Sequence, residues 1–192
     1  MKITPILLLL LYPAVANAQS PEAFYQRSVQ TNQTAMWILG SWAIGNMLVG
    51  GVQMGRTEGS QHYLHQMNLM WNSVNLGIAA YALIAGPPPF TEALETLISQ
   101  HQKTERLYII NSGLDLIYMG TGGYLIHRSK KSLEKSDLLK GYGQSLILQG
   151  GFLLIFDTAL WALQRNTRLD FLNQISIGSV PGISGLGLVY SF

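Results

Sequence analysis

Two acids and a set of amides stand inside stretches that are otherwise apolar. Asp115 and Asp157 fall within apolar runs of the chain. His65, Asn68, Asn72 and Asn75 recur along residues 64–85 at a spacing that puts them on one helical stripe. Polar side chains facing lipid are costly, so this stripe is expected to face other helices. Asn46 and Asn111 extend the set. Amides both donate and accept hydrogen bonds, so these residues suit either an interhelical network or the lining of a polar cavity. Five amides with two acids exceed what packing specificity requires, which favours a polar chamber. A buried carboxyl without a paired cation favours its protonated form, which suits a proton carrier. The plainer alternative is that Asp115 and Asp157 hydrogen-bond to Asn or Trp partners and hold helices together.

His62 and His65 form an H-x-x-H pair, and His127 ends a later apolar run. Three imidazoles are a permissive donor set for zinc or another first-row metal. Interfacial histidines that tolerate both water and lipid are the simpler reading, and His62 sits in an expected loop. There is no cysteine, which excludes disulfides, thiolate metal sites and cysteine nucleophiles. Gly120, Gly122 and Gly123 lack a preceding strand and make no phosphate loop. No strand-elbow signature supports a hydrolase. The sequence requires no cofactor, and it points away from an enzyme.

The elements that position these residues follow from composition. The chain is 48% hydrophobic and 11% charged, with a mean hydropathy of +0.21. Soluble domains carry about 25% charged residues, so lipid is the expected solvent. A net charge of +2 is too small to argue for nucleic acid. Residues 1–18 read as a cleaved signal peptide. Lys2 supplies the basic region, Ile6 to Leu11 begins the apolar one, and Ala16-Asn17-Ala18 provides the small-x-small site.

Residues 19–170 are then expected to form a transmembrane domain with four spans, at about 35–54, 64–85, 107–126 and 141–163, each near the roughly 20 residues a bilayer needs. Ser20-Pro21-Glu22 is a helix start. Residues 55–63 form a polar loop, and Gly86 with Pro87, Pro88 and Pro89 stops the second helix. Thr91 is the expected cap of the third. Trp37, Trp71, Trp161, Tyr63, Tyr108 and Tyr142 fall near span ends as interfacial anchors, whereas Trp42 lies deeper, beside Asn46. Residues 171–192 form an uncharged tail. Its alternating Leu186, Leu188, Tyr190 and Phe192 resemble one barrel strand, but the chain lacks the other strands that a barrel needs.

Arg128, Lys130, Lys131, Lys135 and Lys140 cluster between spans three and four, which makes that loop cytoplasmic. Signal cleavage independently puts the mature N-terminus outside. Both mature termini are therefore expected in the periplasm, with the bundle in a bacterial inner membrane.

The halves of the chain also match. Residues 21–24 align with 91–94, and, after a two-residue shift, Met47, Gly50, Gly51 and Arg56 align with Met119, Gly122, Gly123 and Arg128. Two parallel two-helix repeats are implied. The segments LGSWAIGN, HQMNLMWNSVN, NSGLD and GQSLILQGGFLLIFD together resemble a family of small uncharacterised four-span bacterial membrane proteins. The resemblance implies the fold and no activity.

The expectation is thus an all-α membrane protein, a four-helix bundle that binds or permeates a small polar solute or a proton. A structural or assembly subunit of a membrane complex, and a metal-dependent membrane enzyme, are the alternatives. The expected partners are the bilayer and either further copies of the chain or a membrane complex.

Overall fold

The computed structural model describes residues 20–177. Among these the chain forms four helices and no strand: α1 (Pro21–Met54), α2 (Gly59–Ala85), α3 (Leu94–Ser129) and α4 (Ser136–Ile177). The expected signal peptide and most of the expected tail lie outside the described residues. The α1–α2 and α3–α4 turns share one end of the bundle, here the turn end. The start of α1 and the end of α4 mark the open end.

Local chemistry sets the boundaries. Ser20 caps α1, its hydroxyl accepting the Ala23 N–H at 3.1 Å, with Pro21 and Glu22 in the first turn. Gly86 ends α2 at φ 70°, a conformation that glycine adopts without a Cβ penalty, and its N–H reaches the Ala82 carbonyl. Three boundaries differ from those read in the sequence. The loop expected over 55–63 shortens because α2 begins at Gly59, which makes His62 helical. Thr91 does not cap α3: its hydroxyl accepts the Ala93 N–H at 3.2 Å, and the helix begins at Leu94. α4 continues past 170 to Ile177, because Phe171 has an apolar niche to fill against Phe24 and Leu97.

α1 packs along α2, α3 along α4, and α2 joins the two hairpins by packing on α4. Glycines permit the closest approaches. A Cβ on Gly50 would lie 3.0 Å from the His65 carbonyl oxygen of α2, and one on Gly122 would lie 2.6 Å from the Gly143 carbonyl oxygen of α4. Near the open end α1 also meets α3, where Phe24 packs with Leu97 and Phe171, and its ring stacks on Phe171 at 4.3 Å.

The distribution of polarity is inverted relative to a protein folded in water. Among the largest fully buried side chains are Gln149, Gln164 and Asn72. Trp37, Leu48, Val74, Ile84, Ile117 and Ile155 are all more than half exposed. α1 and α4 each contain a window long and apolar enough to cross a membrane. Only 22% and 33% of those windows are buried, so neither is an interior helix wrapped by its own chain. α2 and α3 fall short of the same measure because Asn68, Asn72 and Asn75 in α2, and Asn111, Asp115 and several glycines in α3, dilute the hydropathy of their most apolar stretches.

Candidate functional site

The seven chamber residues divide into separate groups. The first lies between α1, α2 and α4. The Gln149 amide nitrogen donates to Asn68 Oδ1 at 3.1 Å and to Asn46 Oδ1 at 3.4 Å. Its oxygen accepts the Trp42 indole N–H at 2.9 Å, and Ser145 Oγ donates to Asn68 Oδ1 at 2.6 Å. Trp42 therefore sits beside Asn46 as its depth suggests, and the Asn46 amide also donates to the Trp42 carbonyl.

The second group joins α3 to α4. The Asp115 and Asp157 carboxyls are close enough to interact, and the Asn111 side chain lies near Asp157. Both acids are buried, whereas Asn111 is exposed. Ser112 and Thr158 bond across the same contact at 3.2 Å.

Asn72 and Asn75 join neither group directly. The Asn72 amide bonds back to the Asn68 carbonyl of its own helix. Several buried polar atoms here have no partner: Trp71 Nε1, Asn72 Oδ1, Asn75 Nδ2 and Asp115 Oδ2. Trp71 meets Tyr118 edge-on at 4.8 Å. Asn75 lies one turn from Trp71 on α2, and Asp115 one turn from Tyr118 on α3. Trp71 is a half-buried contact between helices here, and Tyr108 is buried with its hydroxyl on Asn32 Oδ1 at 2.9 Å.

His62, His65 and His127 do not gather. No group of three His, Asp or Glu able to hold a metal occurs among the described residues. His62 Nδ1 instead faces the Met54 carbonyl at 2.8 Å, which ties the start of α2 to the end of α1.

Sequence reasoning missed a charged cluster at the open end. His101 and Glu105 are buried one turn apart on α3. The Arg168 guanidinium of α4 holds Glu105 by two bonds, Nε to Oε1 at 2.6 Å and NH2 to Oε2 at 3.0 Å. That contact raises the Arg168 pKa above its ordinary value. His101 Nε2 lies 2.8 Å from the Gln164 carbonyl and 3.4 Å from Glu105. Burial lowers the His101 pKa below the ordinary 6.5 despite the Gln164 and Glu105 contacts. Gln164 is fully buried, and its amide donates to Asn32 Oδ1 at 2.7 Å and to the Ser28 carbonyl. The available signal was the i, i+4 spacing of His101 and Glu105. It lay in a segment that reads as a polar extension exposed to water.

These observations define an all-α protein of four helices with polar groups inside and apolar side chains outside. The chain belongs to a family of unknown function, DUF6992, which matches residues 38–158. The matched region takes in the Asn46–Gln149 network and the Asp115–Asp157 pair, while Asn32, Gln164 and Arg168 fall outside it. No curated protein and no solved structure matches the chain.

Proposed function

We propose that this is a four-span inner-membrane protein in which polar residues between α2, α3 and α4 hold a small polar solute or a proton. The observation that carries this reading is the set of unpartnered buried atoms on Trp71, Asn72, Asn75 and Asp115. Buried polar groups nearly always have partners, and leaving one unmatched costs about 1–3 kcal/mol. This set contains donors and acceptors, and it adjoins the Asp115–Asp157 contact. A bound hydroxylated or protonated guest would satisfy both kinds.

The membrane placement is supported by the inverted polarity and by the long apolar windows of α1 and α4. The basic α3–α4 turn favours a cytoplasmic turn end, and a cleaved segment 1–18 would put both mature termini in the periplasm. Two parallel repeats are supported by matching contacts. Gly50 meets His65 and Leu69 of α2, as Gly122 meets Gly143 and Ile147 of α4. One turn before Gly50, Asn46 bonds Gln149, six residues past Gly143. One turn before Gly122, Tyr118 meets Trp71, six residues past His65.

The test is proton or solute flux in liposomes that contain the protein. Flux that disappears in Asp115→Asn is the expected result. Undiminished flux in that variant sinks the reading.

A second reading, a structural subunit of a membrane complex, is favoured by the Trp42–Gln149–Asn68–Ser145 network, whose members satisfy one another as interhelical glue. It predicts a stoichiometric partner after mild extraction and no flux.

A further inference from the structure

Charge is unevenly shared between the two ends of the bundle. Among the described residues, acidic and basic side chains are equal in number at the open end. At the turn end Arg56, Arg128, Lys130, Lys131, Lys135 and Lys140 stand against Glu58, Glu134 and Asp137, a surplus of three positive charges. All of these bases are exposed, and none has an ion-pair partner among the described residues. One of the acids is already engaged. The Asp137 carboxyl packs on Gly59, the first residue of α2, with its oxygens 3.4 and 3.6 Å from where a Cβ would stand. No side chain bonds at the N-cap of α2, and a helix N-terminus favours a negative charge. Only Glu58 and Glu134 remain to face the bases.

The positions of three bases point to the kind of anion. Each ends a row of exposed apolar side chains on its own helix. On α3, Ile117, Tyr124 and Arg128 recur at helical spacing, the first two 61% and 59% exposed. On α1, exposed Leu48 and Val52 lead to Arg56, whose N–H still bonds back to the Gln53 carbonyl at 3.0 Å. On α4, Lys140 precedes exposed Ile147 and Ile155. In the membrane placement proposed above these rows face acyl chains. A cation one or two turns beyond them stands at the level of the headgroups, where a long side chain keeps its stem on lipid and its charge in the polar layer. That layer surrounds the bundle and reaches bases on three helices at once. A protein docked on the connection between α3 and α4 would instead meet chiefly Lys130, Lys131 and Lys135.

We propose that the turn end binds anionic phospholipid headgroups, with Arg56, Arg128 and Lys140 contacting their phosphates from the sides of the bundle. The inference rests on the membrane placement and is independent of the polar chamber.

The experiment is electron spin resonance on the full chain in phosphatidylcholine vesicles at low salt, with a trace of acyl-chain spin-labelled phosphatidylglycerol or phosphatidylcholine. It reads the fraction of each probe held at the protein surface. Attraction of about fivefold per cation beside a headgroup, averaged over the whole lipid shell, should give phosphatidylglycerol a preference of about twofold or more. Raising the salt should reduce that preference. Arg56→Gln, Arg128→Gln and Lys140→Gln together should abolish it, whereas Arg56→Lys with Arg128→Lys should keep it, because the charge is retained. Equal retention of the two probes overturns the proposal, as does a preference that survives the triple Gln variant. Binding of soluble polyglutamate without any phosphatidylglycerol preference also overturns it, and assigns the bases to an acidic protein. Protein that stays in the aqueous fraction overturns the membrane placement and the proposal together, a result distinct from entry into vesicles without lipid preference.

Discussion

Glu105 and Arg168 lock α3 to α4 through a two-point contact, Nε to Oε1 at 2.6 Å and NH2 to Oε2 at 3.0 Å. Their side chains are 8% and 17% exposed, so neither charge is freely solvated. Removing one partner of such a pair strands the other, at a cost of about 3–5 kcal/mol. Arg168→Ala is therefore expected to lower stability by about 3 kcal/mol. Arg168→Lys should recover only part of this, since an ammonium cannot reproduce the fork. Thermal or denaturant unfolding in mild detergent measures both. Wild-type stability in Arg168→Ala would mean that Glu105 has reached water or another partner.

His101 gives the same end of the bundle a pH response. Its pKa lies below 6.5 in the folded chain because burial disfavours the imidazolium. The unfolded chain therefore takes up this proton first as pH falls. The contribution of His101 to stability is complete above about pH 6.5 and is lost as pH drops through the folded pKa. The charged groups beside it are Glu105 on its own helix and Arg168 on α4, both within the ion pair just described. Melting temperatures from pH 8 to pH 5 should fall more steeply for the wild type than for His101→Gln. Parallel curves would remove His101 as the sensor.

Glycine positions test the packing of the hairpins. A Cβ on Gly122 would meet the Gly143 carbonyl oxygen at 2.6 Å and Ile147 Cγ1 at 2.8 Å, and a backbone carbonyl cannot swing aside. Gly122→Ala should destabilise the α3–α4 hairpin by about 1–3 kcal/mol. Gly120 and Gly123, on the same helix, have nothing within 4 Å. Alanine there should be neutral or stabilising by up to about 1 kcal/mol from helix propensity alone. Unfolding of the three variants side by side separates a packing contact from a general intolerance of the helix.

Much of this organisation was legible before any coordinates. Ser20-Pro21 and the Gly86–Pro89 run marked helix ends because capping and proline chemistry are local. The Asn68, Asn72 and Asn75 stripe showed its burial through spacing alone, and all three are buried. The division of the polar residues into separate groups was not legible. It depends on which helix faces which, and Gln149 and Ser145 read as ordinary polar residues until α4 is laid against α2. The place of His127 was not legible for a related reason: sequence spacing put His62 and His65 near each other, but nothing in it fixed which side chains His127 would face. His101, Glu105 and Arg168 were overlooked because a charged stretch outside an apolar run reads as exposed. The extension of α4 to Ile177 and the Phe24 ring of α1 cover it.

Gln149 is the residue on which the glue reading of the interior can be decided. It is fully buried and ties α4 to two other helices, α1 through Trp42 and Asn46 and α2 through Asn68. Replacing it with Leu keeps the volume and the apolar fit, so the change is chiefly the loss of hydrogen bonds. Asn68 retains the Ser145 hydroxyl, whereas the Trp42 indole N–H loses its acceptor. In water-excluded protein a stranded donor costs about 1–3 kcal/mol. Between helices in a bilayer the loss is smaller, about 0.6–1.7 kcal/mol, because the separated helices also find partners. With the membrane placement proposed above, Gln149→Leu should fall within that lower range. Adding Trp42→Phe removes the stranded donor, so the double variant should lose less than the sum of the two single changes. A non-additive deficit measured by unfolding in detergent marks Gln149 as interhelical glue. A Gln149→Leu variant as stable as wild type, with altered flux in liposomes, would instead move Gln149 from the scaffold into the proposed polar chamber.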